Sequence, residues 1–293
     1  MLKNSSYQLS VIIPFHNFTK NFTNLKKLIK KVEQVNIRVV IVADALNDAE
    51  LKSLHNFTKK INNVKVVSGI FRSAALSRNE GLSQCKSKWV AFWDCDDDIL
   101  IHEYLKIINK KNDYDLIIAQ IIQLDIQDSK RKKLSCTKNI NQFILTPAFT
   151  RIIYKRKFIN TTKFPNFKLA EDQGFISQLM LRSPSIVFIN DPVYIYRVNN
   201  PFQSSNTIYN ANDQCLCIRF IINLINKNNT MQINNLLKLQ IIKLSIGILK
   251  NTKPKIEREY LQNLILSVSV IFLNFHILLY NILRGNFRVW QKI

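Results

Sequence analysis

Trp89-Val90-Ala91-Phe92-Trp93-Asp94-Cys95-Asp96-Asp97-Asp98 decides how the rest of the chain is read. Residues 89–93 have the make-up of a buried strand, and four carboxylates follow within five positions. Like charges packed this densely cost free energy unless something positive sits among them. One solution is a hard divalent cation, which takes oxygen ligands and shares them with substrate phosphates. The other is an acidic turn capping a helix that starts near Ile101, because Asp suits both the cap and the first turn. Both stay open on these ten residues alone.

Working outward, strand and helix alternate. The apolar run at 9–13 and the segment 64–67 predict strands, the apolar run at 37–42 predicts one buried on both faces of a parallel sheet, and 89–93 is the fourth. Leu25, Leu28, Ile29, Val32 and Val35 mark one face of a helix whose other face carries lysines. Leu51, Leu54 and Phe57 mark a second helix, and 73–85 reads as a third. This alternation predicts an open α/β sheet with right-handed crossovers. Ligands bind such sheets beyond the carboxyl ends of the strands. Asp44 and the 94–98 cluster both lie at such ends, which moves the cluster from acidic turn towards active site. Further on, 116–124 and 149–154 read as strands with a basic turn at 130–133 between them. A helix over 173–181 is entered through Glu171 and Asp172. Strands are expected at 186–189 and 193–198, and helices from about 211.

Lys and Arg outnumber Asp and Glu by 42 to 20, a net charge of +22. Such an excess suits nucleic acid, anionic lipid or phosphorylated substrates. The basic residues are dispersed, and the chain shows no C2H2, RNP or helix-turn-helix signature, so nucleic acid is the runner-up and no nucleic-acid partner is expected. The five Cys are scattered: Cys85, Cys95, Cys136, Cys215 and Cys217. They lack the second pair a zinc site needs, and they suit a reducing cytoplasm. No apolar stretch of signal-peptide length follows Lys3, so export is not expected. His16, His55 and His102 share no ligand spacing and read as surface or turn residues.

Five segments, in order, carry a resemblance. Leu9-Ser10-Val11-Ile12-Ile13-Pro14-Phe15-His16-Asn17 is similar to the first strand and turn of family 2 glycosyltransferases of GT-A fold. Val40-Ile41-Val42-Ala43-Asp44-Ala45-Leu46-Asn47-Asp48 resembles the strand that in the family ends Asp-Asp-Gly-Ser-x-Asp, with Ala43 and Ala45 in place of the family's Asp and Gly. Arg78-Asn79-Glu80-Gly81 resembles its Arg-Asn-x-Gly segment, and Asp94-Cys95-Asp96-Asp97 its Asp-x-Asp motif. Glu171-Asp172 matches the later Glu-Asp pair, with Tyr196-Arg197 on the strand that closes the domain. The resemblance implies a GT-A domain over 1–205, with a nucleotide-sugar half over about 1–110 and an acceptor half over 111–205. The helical region 206–293 lies outside it.

By residue, the resemblance implies that Pro14 and Asp44 bind the nucleotide of the donor, and that Arg78 lies near the diphosphate or sugar. Asp94 and Asp96 would hold the ribose and a Mg²⁺ or Mn²⁺ ion, with Asp97 a possible further ligand and Asp98 capping the next helix. Asp172 would be the general base, Glu171 would orient the acceptor, and Arg197 would reach the diphosphate. The implied reaction is inverting transfer from a nucleotide-diphosphate sugar, a UDP-sugar first, to a glycan or lipid-linked acceptor in bacterial surface polysaccharide or lipooligosaccharide synthesis. A domain that keeps this fold but only binds is a further alternative, left open by Ala43 and Ala45.

Residues 260–283 carry no charge and are flanked by basic residues. Their length would span a bilayer. Ser267, Asn274 and Asn281 recur every seven positions, a polar stripe that favours packing on the domain or docking in the membrane interface over spanning. Together with the net charge, this makes an anionic membrane surface a candidate partner and the inner face of the plasma membrane a candidate location.

Overall fold

The computed structural model describes residues 7–111, 113–128, 131–133, 139–145, 148–198, 211–228 and 230–251. The elements in chain order are β1 (Leu9–Phe15), α1 (Phe18–Val32), β2 (Ile37–Asp44), α2 (Asp48–Thr58), β3 (Val64–Gly69), α3 (Ala74–Ser83) and β4 (Trp89–Phe92). Next come β5 (Asp98–Ile99), α4 (Ile101–Lys110), β6 (Leu116–Asp125), β7 (Arg131–Lys133), α5 (Ile140–Leu145), a 3-10 turn (Phe149–Arg151) and β8 (Ile152–Lys155). The remainder is α6 (Arg156–Ile159), α7 (Glu171–Met180), β9 (Ile186–Val198), α8 (Ala211–Asn226) and α9 (Met231–Asn251).

The strands join in one mixed sheet of order β3-β2-β1-β4-β8-β6-β9-β5, with β7 on β6. The first four strands are parallel. β8 then runs antiparallel to both β4 and β6, and β9 runs parallel to β6. This is the GT-A architecture that the alternation and the motifs led us to expect. β1, β2 and β4 are almost wholly buried, which explains their near-continuous apolar runs. Pro14 sits on β1 beyond the last residue paired with β4, so its missing N–H costs no ladder bond there. The connection from β1 runs to β2 on one side, while β4 is added on the other. Asp44 and Asp94 therefore flank the end of β1 at a topological switch point, where such sheets bind ligands.

Four local readings change. Residues 149–151 form a 3-10 turn before β8, so only part of the 149–154 apolar run is strand. A short apolar run cannot by itself tell strand from turn or helix. Arg131–Lys133, expected as a turn, pairs with β6 as β7. The two strands expected at 186–189 and 193–198 are one, β9, with register shifts on both sides of the Gln120–Pro192 pair. Finally, α7 begins at Glu171 and takes in both acidic residues. Residues 252–293, including the 260–283 segment, lie outside the described residues, as does Cys136. Among the described residues no helix is long and apolar enough to cross a membrane.

The C-terminal helices are part of the packing. Ala170 is buried among Cys217, Ile218 and Ile221 of α8 and Ile233, Leu237, Ile241, Leu244 and Ile248 of α9. A second face of α9, through Leu236 and Leu239, joins the core that contains Phe143, Phe175 and Ile176.

Candidate active site

Asp44 ends β2 and is 8% exposed. Its Oδ1 accepts the N–H groups of Phe71 (2.7 Å) and Arg72 (2.8 Å), and its Oδ2 accepts Ser73 N–H and the Ser77 hydroxyl, both at 3.3 Å. This carboxylate therefore ties the loop between β3 and α3 to the end of β2. Ala45, next to it, has φ 54°, the left-handed region where glycine is at ease. That is the position at which the resembling family carries Gly.

Ser73 caps α3 through its hydroxyl, and Gly81 lets the helix lie close on the sheet. A Cβ at Gly81 would stand 2.4 Å from Ile12 Cγ2. The close approach explains the small residue in Arg78-Asn79-Glu80-Gly81, and it seats Arg78 in the cleft. Arg78 is not the exposed helical arginine that its surroundings in sequence allow; its side chain is 7% exposed. Nη1 donates to Glu171 Oε1 at 2.6 Å, and Nη2 reaches Asp94 Oδ1 at 3.5 Å. The guanidinium lies 4.4 Å from the Phe149 ring centre and 5.7 Å from that of Phe164, a cation–π platform. Burial works against this cation, but the carboxylates of Asp94, Glu171 and Asp172 outweigh it and push its pKa up. Asn79 clamps Phe164 beneath it through two 2.8 Å bonds, one donated and one accepted. Sequence reasoning passed over Asn79, although it stands inside the quoted motif.

In the loop after β4 the carboxylates alternate between cleft and interior. Asp94 and Asp96 are half-buried at the cleft, whereas Cys95 and Asp97 are buried. The Asp94 backbone N–H donates to Tyr194 Oη (3.1 Å), and that hydroxyl donates to Asp97 Oδ2 (2.9 Å). Asp97 Oδ1 accepts the Arg197 N–H at 3.0 Å. Burial, then the nearby Asp94 charge, pushes Asp97 up to about 8. Both its oxygens are thus engaged by protein donors. Asp98 does not cap α4; Leu100 occupies the cap position, with no side-chain cap bond. Asp98 Oδ2 instead accepts Nε (3.1 Å) and Nη2 (2.7 Å) of Arg197, and Lys31 lies 3.5 Å from Oδ1. Partial burial of Asp98 is outweighed by these cations, which hold it below the usual carboxylate range. A long-range forked ion pair has displaced the local cap.

Glu171 and Asp172 open α7, whose N-terminal dipole favours negative charge. Asp172 Oδ1 accepts the Gln173 N–H at 2.8 Å, and the Gln173 side-chain amide lies 3.5 Å from Oδ2. Burial raises the pKa of Asp172, against the opposing charges of Lys243 and Arg78. Burial raises Glu171 too, opposed by Arg78 and reinforced by Asp172. Asp94 is raised by burial and by Asp96 and Glu171, with Arg78 opposing. Arg78 therefore joins the acidic loop after β4 to the acidic start of α7, although 93 positions separate it from Glu171.

Residues 10–174, more than half of the chain, match the family described as glycosyl transferase family 2. The chain belongs to that family. It is a glycosyltransferase, and the matched stretch contains Asp44, Arg78, Asp94, Asp96, Glu171 and Asp172. Among curated relatives, the glycosyltransferase GlyG of Streptococcus pneumoniae is 27% identical over 214 residues, covering 64% of this chain and 70% of that protein. The poly(ribitol-phosphate) beta-N-acetylglucosaminyltransferase TarP of Staphylococcus aureus is 29% identical over 215 residues, 68% of this chain and 65% of that one. Among solved structures, S. aureus TarS 1–349 in complex with UDP-GlcNAc superposes with a TM-score of 0.63 at 21% identity, covering 80% of this chain and 72% of that one. At that identity the likeness establishes the shared fold.

The structure brings Asp44, Arg78, Asp94, Asp96, Glu171 and Asp172 to the carboxyl-end cleft, with Pro14 at the end of β1 and Arg197 held at Asp98. Sequence reasoning missed Tyr194, Asn79 and the two α9 residues that face α7, Gln240 and Lys243.

Proposed function

We propose that this chain transfers a sugar, with inversion, from a UDP-sugar to a glycan or lipid-linked acceptor in bacterial surface polysaccharide synthesis. The observation that carries this reading is the bridge made by Arg78. It sets a donor-holding acidic loop and a proton-accepting acidic helix start on opposite ends of one guanidinium. The likeness to the poly(ribitol-phosphate) transferase TarP and to TarS in complex with UDP-GlcNAc supports a UDP-linked donor and a phosphate-containing polymer as acceptor.

The donor set fits a divalent ion. Among the described residues no three His, Cys, Asp or Glu side chains form a ready cage. Mg²⁺ needs none, because it is commonly held by one or two carboxylates together with substrate phosphates. Asp94 and Asp96 are such a pair, both half-buried in the loop after β4, and burial together with the neighbouring carboxylates pushes Asp94 up against the opposing charge of Arg78. Bound there, Mg²⁺ or Mn²⁺ would supply charge neutralisation on the departing diphosphate. Arg78 adds a fixed cation, and its Nε is buried without a hydrogen-bond partner among the described residues. Asp44 shapes the nucleotide loop by holding the N–H groups of Phe71, Arg72 and Ser73. Asp172 takes the proton of the acceptor hydroxyl as that oxygen attacks the anomeric carbon. The bond from that carbon to the diphosphate breaks, and UDP carries away the electron pair. The upward push on Asp172 suits a base that must accept a proton near neutral pH.

The net charge of +22 then serves phosphorylated partners and an anionic membrane, with the enzyme working at the inner face. Flotation with anionic liposomes tests this, and indifference to lipid charge counts against it. For the reaction itself, UDP and GDP are titrated with and without Mn²⁺, and transfer is assayed in Asp172→Asn. We expect UDP binding that Mn²⁺ strengthens, and a loss of transfer of roughly a hundredfold or more in the variant with binding kept. An active Asp172→Asn enzyme removes Asp172 as the base.

A further inference from the structure

Helices α8 and α9 lie wholly beyond the 10–174 stretch matched by the family, yet they meet the start of α7 through polar contacts as well as apolar ones. The Cys217 thiol donates to the carbonyl of Ala170 (3.4 Å), the residue just before Glu171, which is held in the left-handed region at φ 65°. Gln240 of α9 is fully buried. Its side-chain amide donates to the Gln173 carbonyl (3.1 Å) and to Gln173 Oε1 (3.0 Å), and its own Oε1 lies 2.8 Å from the Ser177 hydroxyl. Gln173 in turn holds Asp172 by its backbone N–H, with its amide group facing the other carboxylate oxygen. A buried amide is costly unless its polar atoms are satisfied, and all of these bonds go to the first turns of α7. Lys243 is three residues further along α9, on the same face as Gln240, and is half-buried.

We infer that Gln240 and Lys243 are positioning residues for Asp172: Gln240 fixes Gln173, whose N–H groups aim the carboxylate, and Lys243 supplies positive charge behind it. The mechanistic consequence rests on Asp172 being the base. The charged and titratable groups that face Asp172 are Arg78 of α3, Glu171 of α7, Tyr154 of β8, Cys217 of α8 and Lys243 of α9. Arg78 is already engaged by Asp94 and Glu171. Lys243 is therefore the cation best placed to keep a buried Asp172 ready to accept a proton. Burial lowers the Lys243 pKa, and Asp172 opposes that shift, so the coupling is mutual.

The test uses the full chain with carbon-13 in its aspartate carboxyls, the Asp172 signal being identified by its loss in Asp172→Asn. In Lys243→Met that signal is expected to titrate at higher pH than in wild type, and in Lys243→Arg to return towards it. An unmoved titration in folded Lys243→Met overturns the role of Lys243. If Lys243→Met does not fold, Lys243→Gln gives the same readout. For Gln240→Leu we expect UDP release from UDP-GlcNAc to fall roughly tenfold with UDP affinity kept, since misaiming a reacting group costs rate before binding. Unchanged release overturns the role of Gln240. For Lys243→Met the loss of release is expected to be about tenfold at the acidic end of the pH profile and to close as pH rises and Asp172 is deprotonated in both proteins. The carboxyl titration needs no turnover, so the charge coupling can fail or stand independently of whether Asp172→Asn abolishes transfer.

Discussion

After β4, acidic residues follow one another in a loop; at α7, two open a helix. In the loop the charges are parted by alternation. Asp97 is turned inward onto Tyr194 and the Arg197 N–H, Asp98 is paired with Arg197, and Asp94 and Asp96 are left at the cleft. Asp94 retains 34% of its side-chain surface in solvent. At α7, Glu171 keeps 14%, and both acids are served by cations of the chain itself, Arg78 and Lys243. The difference is one of exposure, because burial raises Asp94, Glu171 and Asp172 alike and Arg78 opposes it in each. The loop is the more open of the two to solvent and to a ligand that brings positive charge. The helix start is more enclosed, with Lys243 beside Arg78 as a second charge opposing the burial of Asp172.

The comparison can be broken at the residue that joins its halves. Arg78→Met leaves Asp94 and Glu171 without their buried cation, and should cost about 3–5 kcal/mol in urea unfolding. A cost below about 1 kcal/mol would mean that the two regions do not share a counter-charge. Next in size is Tyr194→Phe. It deletes the hydroxyl that accepts from Asp94 N–H and donates to Asp97, and is expected to cost about 1–3 kcal/mol. It should weaken UDP binding in Mn²⁺ without touching the Asp172 titration; movement of both would erase the distinction.

The smallest effect sets one left-handed alanine against another. Ala45 is exposed beside the donor loop, so Ala45→Gly relieves its strained φ and should stabilise by up to roughly 0.5 kcal/mol after the extra chain entropy of glycine. Ala170 has the same kind of φ but is buried against α8 and α9. There the lost methyl, about 0.8 kcal/mol, should cancel the relief or exceed it. Thermal unfolding of the two variants decides between these outcomes.

Much of this was legible because strand ends carry distinctive residues. Four strand runs alternating with helices announced the parallel half of the sheet, Asp44 and Asp94 stood at the ends of such runs, and Arg78 and Asp172 were picked out by the family resemblance. What could not be read was decided by partners far away in sequence. Asp98 looked like a helix cap because capping is local, but Arg197, 99 positions on, won it. The partner of Asp97 was equally out of sight, because Tyr194 of β9 reaches it from 97 positions away. Gln240 and Lys243 gave no signal, because a Gln and a Lys on a Leu- and Ile-rich helix read as ordinary surface. Their meaning comes only from the face that α9 lays on α7.

The most direct test is calorimetric titration of Mn²⁺ into the UDP-loaded chain, comparing wild type with Asp96→Asn and Asp172→Asn. The account predicts that Asp96→Asn loses Mn²⁺ binding while Asp172→Asn retains it. Equal losses in the two variants, or loss in Asp172→Asn alone, would contradict it.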